Sequence, residues 1–98
     1  MDIADWRRKI DDIDRRLVKL LSARAECVVE IGKIKLDSGL PVLESSREDE
    51  VMRHALEANH GPLDGEAIRR VFETIVRESR GMQENLSGKA GRGPERKA

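Results

Sequence analysis

A stretch of about 33 residues, from Asp5 to Asp37, contains no proline and places its apolar side chains three or four residues apart. That spacing is typical of an amphipathic helix, whereas apolar side chains alternate along a strand. Such a helix would be about 50 Å long, while a compact domain of 100 residues has a radius of gyration of only about 13 Å. Two shorter helices cannot cover its apolar stripe, and the simplest cover is a second copy of the chain. We therefore predict a helical homodimer.

Two further helices follow. Gly39 and Pro41 end the first helix, because glycine is favoured at a helix C-terminus and proline cannot continue a helix. A second helix is predicted from residue 44 or 45 to about residue 58, with Ser45 and Glu48 at the spacing of a capping box. A third helix is predicted to start after the capping residue Asp64 and to end near residue 86.

The predicted organisation is one all-α domain, residues 1–86, with a long, a short and a medium helix. Residues 87–98 have no apolar periodicity and are rich in glycine and basic residues. We expect them to form a disordered tail.

The composition argues against several classes of protein. The 19 basic and 19 acidic residues balance, and Trp6 and Phe72 are the only aromatic residues, so a nucleic-acid partner is not expected. Apolar runs reach three residues at most, which argues against a membrane span or a secretion signal. With a single cysteine, Cys27, no intramolecular disulfide forms, and we expect a cytoplasmic protein. Metal-ligand spacings and phosphate-binding glycine loops are also missing from the sequence.

Two cations lie on the apolar face of the first helix. On an ideal helix with Ile10 set to zero, the apolar stripe is centred near about 320°, and Arg24 and Lys35 fall at about 320° and 340°. Along the helix axis they are about 16 Å apart. An unpaired charge in an apolar interior is costly, so these cations either pair with Glu44 and Glu48 of the second helix or bind a small anion.

The other helices also carry polar groups on inner faces. Glu44 and Glu48 share a face of the second helix with apolar neighbours, while Ser79 and Gln83 follow the apolar face of the third. Arg7 lies off the main stripe of the first helix, where it is a surface charge in one chain but can reach a neighbour's cavity in a dimer. Together these groups predict a polar cavity for a ligand with carboxylates.

A series of short motifs lies in order along the three predicted helices: Arg7-Arg8-Lys9-Ile10-Asp11-Asp12-Ile13-Asp14, Leu20-Leu21-Ser22-Ala23-Arg24, Ile31-Gly32-Lys33-Ile34-Lys35, Pro41-Val42, Arg47-Glu48, and Phe72-Glu73-Thr74-Ile75-Val76-Arg77-Glu78-Ser79 with Gln83 following. In this order and spacing they resemble the all-helical chorismate mutases of the AroQ class, from about residue 6 to residue 86. The resemblance implies an intertwined homodimer of three-helix chains that converts chorismate to prephenate without a cofactor or a metal.

The resemblance also implies roles for single residues. Arg24 looks like the arginine that holds a substrate carboxylate, and Arg7 like an arginine that the other subunit supplies to the same site. Lys35 looks like the lysine that contacts both a carboxylate and the ether oxygen of the breaking bond. Gln83 looks like the amide on the other side of that oxygen.

Four more residues complete the implied site. Glu48 looks like the carboxylate that accepts the ring hydroxyl, and Ser79 like the hydroxyl near the ring carboxylate. Glu44 occupies a position often filled by aspartate and borders the hydroxyl end. Arg47 is expected to be a partner for these acids.

Two alternatives remain open on the sequence. A lyase on the same scaffold, which removes pyruvate from isochorismate, would use similar cations. The acids Glu44 and Glu48 and the hydroxyl of Ser79 favour the mutase. A non-catalytic helical dimerisation module, in which buried ions only set the register of the helices, is the other alternative.

Overall fold

The computed structural model describes residues 1–88, and within them the chain forms three α-helices and no strand: α1 (Ile3–Ser38), α2 (Ser45–Ala58) and α3 (Gly65–Gly88). The predicted all-α class is confirmed, and the predicted helix bounds lie within two residues of these. None of the helices in this part of the chain is long and apolar enough to cross a membrane.

Helix α1 is held at both ends by local hydrogen bonds. The Asp2 side chain accepts from the Asp5 amide, and the Asp5 side chain accepts from the Asp2 amide, each at 2.9 Å. The hydrogen bond from the Asp5 amide lowers the pKa of Asp2. At the other end Gly39 has a φ of 71°, a left-handed conformation that favours glycine and closes the last turn.

The predicted capping box at the start of α2 is wrong. Residue Glu44 is the N-cap and makes no side-chain capping bond, while its carbonyl accepts from the amides of Arg47 and Glu48 at 3.1 Å. The Glu48 carboxylate, the predicted reciprocal cap, is bound instead by the guanidinium of Arg80 on α3, which contacts both of its oxygens. A charge-assisted bidentate bond is stronger than a capping bond to a neutral amide.

Helix α3 begins as the sequence predicts, since the amide of Ala67 donates to Asp64 Oδ1 at 2.8 Å. The helix continues to Gly88, two residues past the predicted end. The remainder of the predicted tail, residues 89–98, lies outside the described residues.

Helix α3 packs on both α1 and α2 and so positions the polar residues of all three. It approaches α1 closely at Gly32, which is buried. A Cβ atom on Gly32 would lie 2.8 Å from Leu86 Cδ1 and 3.1 Å from Gln83 Cγ. Because Gly32 has no side chain, Gln83 on α3 can pack directly against α1 at this position.

The N-terminal half of α1 is not covered by the other helices. Large apolar side chains stand there at helical spacing, each about half exposed: Trp6, Ile10, Ile13, Leu17 and Leu21. Among the described residues no hydrophobic side chain is fully buried, and the chain extends 53 Å along its longest axis with a radius of gyration of 16.6 Å. The length argument from the sequence thus applies to the folded chain, because within residues 1–88 no other helix covers the N-terminal half of the apolar stripe.

Candidate active site

Residues from all three helices and the α1–α2 loop line one cavity of about 340 Å³. Seven of the eight site residues predicted from the sequence line this cavity directly or at its rim. They are Arg24, Lys35, Glu44, Arg47, Glu48, Ser79 and Gln83. Arg7 is the exception.

Arg24 is positioned by α3 and not by a carboxylate. Its Nη1 donates to Ser79 Oγ at 2.7 Å, and the Ser79 hydroxyl donates to the carbonyl of Ile75 at 2.8 Å. Within residues 1–88 no carboxylate oxygen lies within 4.0 Å of the Arg24 guanidinium. The alternative in which Arg24 neutralises an acid of α2 therefore does not hold for this residue.

Lys35 and Gln83 meet in the cavity wall. Lys35 Nζ donates to the carbonyl of Val42 at 2.9 Å and to Gln83 Oε1 at 3.4 Å. It also lies 3.9 Å from Glu44 Oε1, a looser contact to a side chain that is 57% exposed. The Lys35 side chain is only 14% exposed, so its ammonium is directed into the protein and not into bulk water.

Gln83 is the only buried polar side chain in the described residues, with 8% of its surface exposed. Its Nε2 donates to the carbonyl of Val28 at 2.9 Å, while its Oε1 accepts from Lys35. These two contacts fix the orientation of the amide, because only the NH₂ group can donate to a carbonyl and only the oxygen can accept from an ammonium. Within residues 1–88 the second N–H bond of Nε2 makes no hydrogen bond, so it can donate to a ligand.

Glu48 projects into the cavity from α2 and is bound by a residue that the sequence analysis missed. Arg80 Nε donates to Glu48 Oε2 at 3.0 Å, and Arg80 Nη2 donates to Glu48 Oε1 at 2.9 Å. The hydrogen bonds to the Glu48 carboxylate raise the pKa of Arg80 above its usual value. A periodicity signal for Arg80 existed, since Val76, Ser79, Arg80 and Gln83 follow the i, i+3, i+4, i+7 spacing of one helical face.

Arg47 and Glu44 lie at the open rim. Arg47 Nη1 donates to Glu50 Oε1 at 2.8 Å, and this bond lowers the pKa of Glu50. Arg47 was expected to be the partner of the two cavity acids, but the ion pair it forms is with Glu50 one turn further along α2.

Arg7 is exposed and lies outside the cavity of its own chain. It precedes Arg24 by 17 positions in the same helix, which corresponds to about 25 Å. No rotation of a side chain bridges that distance. Cys27, interpreted from the sequence as a small apolar packing group, is exposed and lines the cavity.

The charges of the cavity favour an anion. Four cations and two carboxylates line it, which gives a net charge of about +2 at neutral pH if each group has its usual charge. Fixed N–H donors in a partly enclosed site interact more strongly with a ligand than they would in water. Among the described residues no group of three or more histidine, cysteine, aspartate or glutamate side chains is arranged to hold a metal ion.

Comparison with known proteins defines the class. The family model of chorismate mutase type II matches residues 6–84. The solved structure of chorismate mutase (form II) from Thermus thermophilus superimposes with a TM-score of 0.83 and 33% identity, covering 87% of this chain and 97% of that one. The chain therefore belongs to the chorismate mutase type II family.

Curated relatives agree with this assignment. The bifunctional chorismate mutase/prephenate dehydratase of Stutzerimonas stutzeri is 35% identical over 85 residues, which are 82% of this chain and 23% of that protein. The protein of the same name from Escherichia coli K12 is 38% identical over 76 residues, 74% of this chain and 19% of the relative. The chain thus spans about a quarter of the length of the curated relatives it matches. The family inferred from the sequence is confirmed.

Proposed function

We propose that this chain converts chorismate to prephenate. The observation that carries the proposal is that the side chains of Lys35 and Gln83 meet in a cavity with a net positive lining, with Lys35 Nζ 3.4 Å from Gln83 Oε1. Each of the two side chains carries N–H donors. Chorismate carries two carboxylates and an ether oxygen, and therefore matches both the charge of this cavity and its donors.

The reaction suits a site made of positioned polar groups. It is a unimolecular rearrangement in which the ether C–O bond breaks while a C–C bond forms, with no net proton transfer and no nucleophile. The protein accelerates it by holding the side chain over the ring and by stabilising negative charge that develops on the ether oxygen. Donors placed at that oxygen favour the transition state over the ground state.

Lys35 and Gln83 are the proposed donors to the ether oxygen. Lys35 Nζ has three N–H bonds and Gln83 Nε2 has two, so each keeps a donor free after its contacts within the chain. Arg24 is proposed to bind a substrate carboxylate, because its guanidinium faces the cavity without an acidic partner. Ser79, which accepts from Arg24, is proposed to border the ring carboxylate.

The acids are proposed to bind the opposite, hydroxyl-bearing side of the ring. Glu48 accepts the hydroxyl proton in a hydrogen bond, and Glu44 borders the same region from the rim. Arg47, which is paired with Glu50, contributes positive charge to the entrance. These roles rest on the lining positions of the three side chains and on the resemblance.

We further propose that the active form is an intertwined homodimer in which Arg7 enters the cavity of the other subunit. Two observations support it: the half-exposed apolar stripe on α1 and the distance of about 25 Å between Arg7 and the cavity of its own chain. A cytoplasmic location is proposed as well, in keeping with an unpaired Cys27, because thiols persist in reducing compartments.

One assay tests the reaction against both alternatives. The purified chain is incubated first with chorismate and then with isochorismate, and products are identified by chromatography and mass. Prephenate from chorismate supports the proposal. Pyruvate from isochorismate with no prephenate indicates the lyase, and no product from either, with a folded dimer, indicates the non-catalytic module.

A further inference from the structure

One of the three arginines that line the cavity binds an acid of the same cavity. Arg24 on α1 faces the cavity without a carboxylate partner, whereas Arg80 on α3 makes two hydrogen bonds to Glu48 on α2, at 2.9 and 3.0 Å. The side chains of Arg80 and Glu48 are 34% and 28% exposed, so the pair stands in the cavity wall and not on the outer surface. Both residues line the cavity.

Bidentate contact restricts the carboxylate more than a single bond would. The planar guanidinium fork fixes both the position and the plane of the carboxylate. Each Glu48 oxygen has two acceptor positions, and Arg80 occupies one on each oxygen. Glu48 therefore still has acceptor positions for a ligand hydroxyl, and it presents them in one orientation.

The charge of Arg80 matters for the same ligand. An acid placed beside a dianion would repel it, and Glu48 lines the cavity that is proposed to bind one. Besides Arg80, three cations line this cavity. With Arg80 the lining carries about +2 and without it about +1, on the usual charges of these groups. Arg80 thus offsets the negative charge of Glu48, the acid that is proposed to bind the ring hydroxyl.

We propose that Arg80 is a positioning residue for Glu48: it holds the carboxylate in the orientation that accepts the ring hydroxyl of the substrate, and it compensates the negative charge of that carboxylate. This inference rests on the proposed function, since it assigns Glu48 to the hydroxyl. Arg80 acts through Glu48 and does not touch the substrate.

The test is a double-mutant cycle on kcat/KM for chorismate. Arg80→Met keeps most of the length of the side chain and removes its charge and donors, and we expect a loss of about 10- to 100-fold, the range that misplacement of a binding group produces. Arg80→Lys keeps the positive charge but lacks the planar guanidinium that binds both carboxylate oxygens. Its kcat/KM should lie between those of Arg80→Met and the parent. Glu48→Gln should lower kcat/KM at least as much as Arg80→Met does. The variant that carries both substitutions should have a kcat/KM no lower than that of Glu48→Gln alone.

Arg77→Met is the matched control. Arg77 lies on the same helix, is exposed and contacts Thr74 outside the cavity, so its replacement should leave kcat/KM unchanged. Circular dichroism of every variant reports the folded fraction, by which each rate is normalised.

The outcomes separate the inference from the proposed function. Multiplicative losses in the double variant would show that Arg80 contacts the substrate directly and would overturn a positioning role. Unchanged kcat/KM per folded Arg80→Met chain would overturn it as well and leave only a structural ion pair. An inactive parent chain would refute the proposed function and with it this inference, whereas an active parent with an unaffected Arg80→Met variant refutes the inference alone.

Discussion

Lys35 and Gln83 lie 48 residues apart in the sequence, and the ammonium of one donates to the amide oxygen of the other at 3.4 Å. The pair joins the C-terminal part of α1 to that of α3 and stands in the cavity wall. Each member also has a backbone acceptor, Val42 for Lys35 and Val28 for Gln83. The two donors are therefore in place before a ligand arrives, so they need not reorganise during the reaction.

Replacing Lys35 by alanine should remove most of the activity. Loss of one fixed donor to a developing negative charge typically lowers the rate by about 10²- to 10³-fold. Lys33→Ala is the control, because Lys33 is on the same helix, is exposed and pairs with Glu30. Steady-state turnover of chorismate and circular dichroism of both variants provide the measurement. A folded Lys35→Ala variant with turnover near that of the parent would contradict the role of Lys35.

Replacing Gln83 by glutamate should make the activity depend on pH. The amide donates at any pH, whereas a carboxyl group donates only while it is protonated. Lys35, which contacts Gln83 Oε1 at 3.4 Å, would favour the ionised form of the new carboxyl group and hold its pKa down. The ratio of variant to parent activity should therefore rise as the pH falls, since the protonated form becomes populated only in acid.

The pH profile of kcat/KM for Gln83→Glu and for the parent provides the measurement, from neutral pH down to the lowest pH at which both chains stay folded. A ratio that stays constant across this range would show that Gln83 does not donate to the reacting oxygen.

The sequence predicted the helices well because their signals are local. Apolar side chains at three- and four-residue spacing, Asp64 before α3 and Gly39 after α1 each act within a turn or two of the chain. Arg24 and Lys35 could be placed in the cavity for the same reason, since both fall within the apolar stripe of a single helix.

The contacts that depend on two helices at once could not be predicted. The capping box at the start of α2 fits the local pattern, but Glu48 is bound by Arg80, which is 32 residues away in the sequence. A glycine inside a helix lowers the local helix propensity, yet Gly32 allows α3 to approach α1 where Gln83 lies. Such pairings are set by helix crossing geometry, which a periodic pattern does not contain.

Gly32→Ala should destabilise the chain relative to Gly81→Ala. A Cβ atom at Gly32 would come within 2.8 Å of Leu86 Cδ1 and 3.1 Å of Gln83 Cγ, whereas at Gly81 it would meet nothing within 4 Å. Overpacking typically costs about 1–3 kcal/mol, while glycine to alanine in an open helical position gains about 0.5–1 kcal/mol. Urea unfolding of both variants provides the comparison. Equal unfolding free energies would mean that Leu86 and Gln83 give way without cost.

A chain that ends after Gly88 should keep the activity of the full chain. The cavity-lining residues of α3 end at Gln83, and residues 1–86 are the proposed functional domain. The kcat and KM of the shortened chain for chorismate are compared with those of the full chain at equal folded fraction. A clear loss in either constant would assign a role to residues 89–98.

Mixing two inactive variants should restore activity if Arg7 completes the site of the other subunit. In a heterodimer of Arg7→Ala and Lys35→Ala chains, one site combines Lys35 of the first chain with Arg7 of the second and is intact, while the other site lacks both. Random reassociation of equal amounts gives half heterodimers, so about a quarter of the parent activity should return. The two variants are unfolded together, refolded and assayed, and each variant refolded alone is the control. If Arg7 served its own chain, each heterodimer would contain two defective sites and the mixture would stay as inactive as its components.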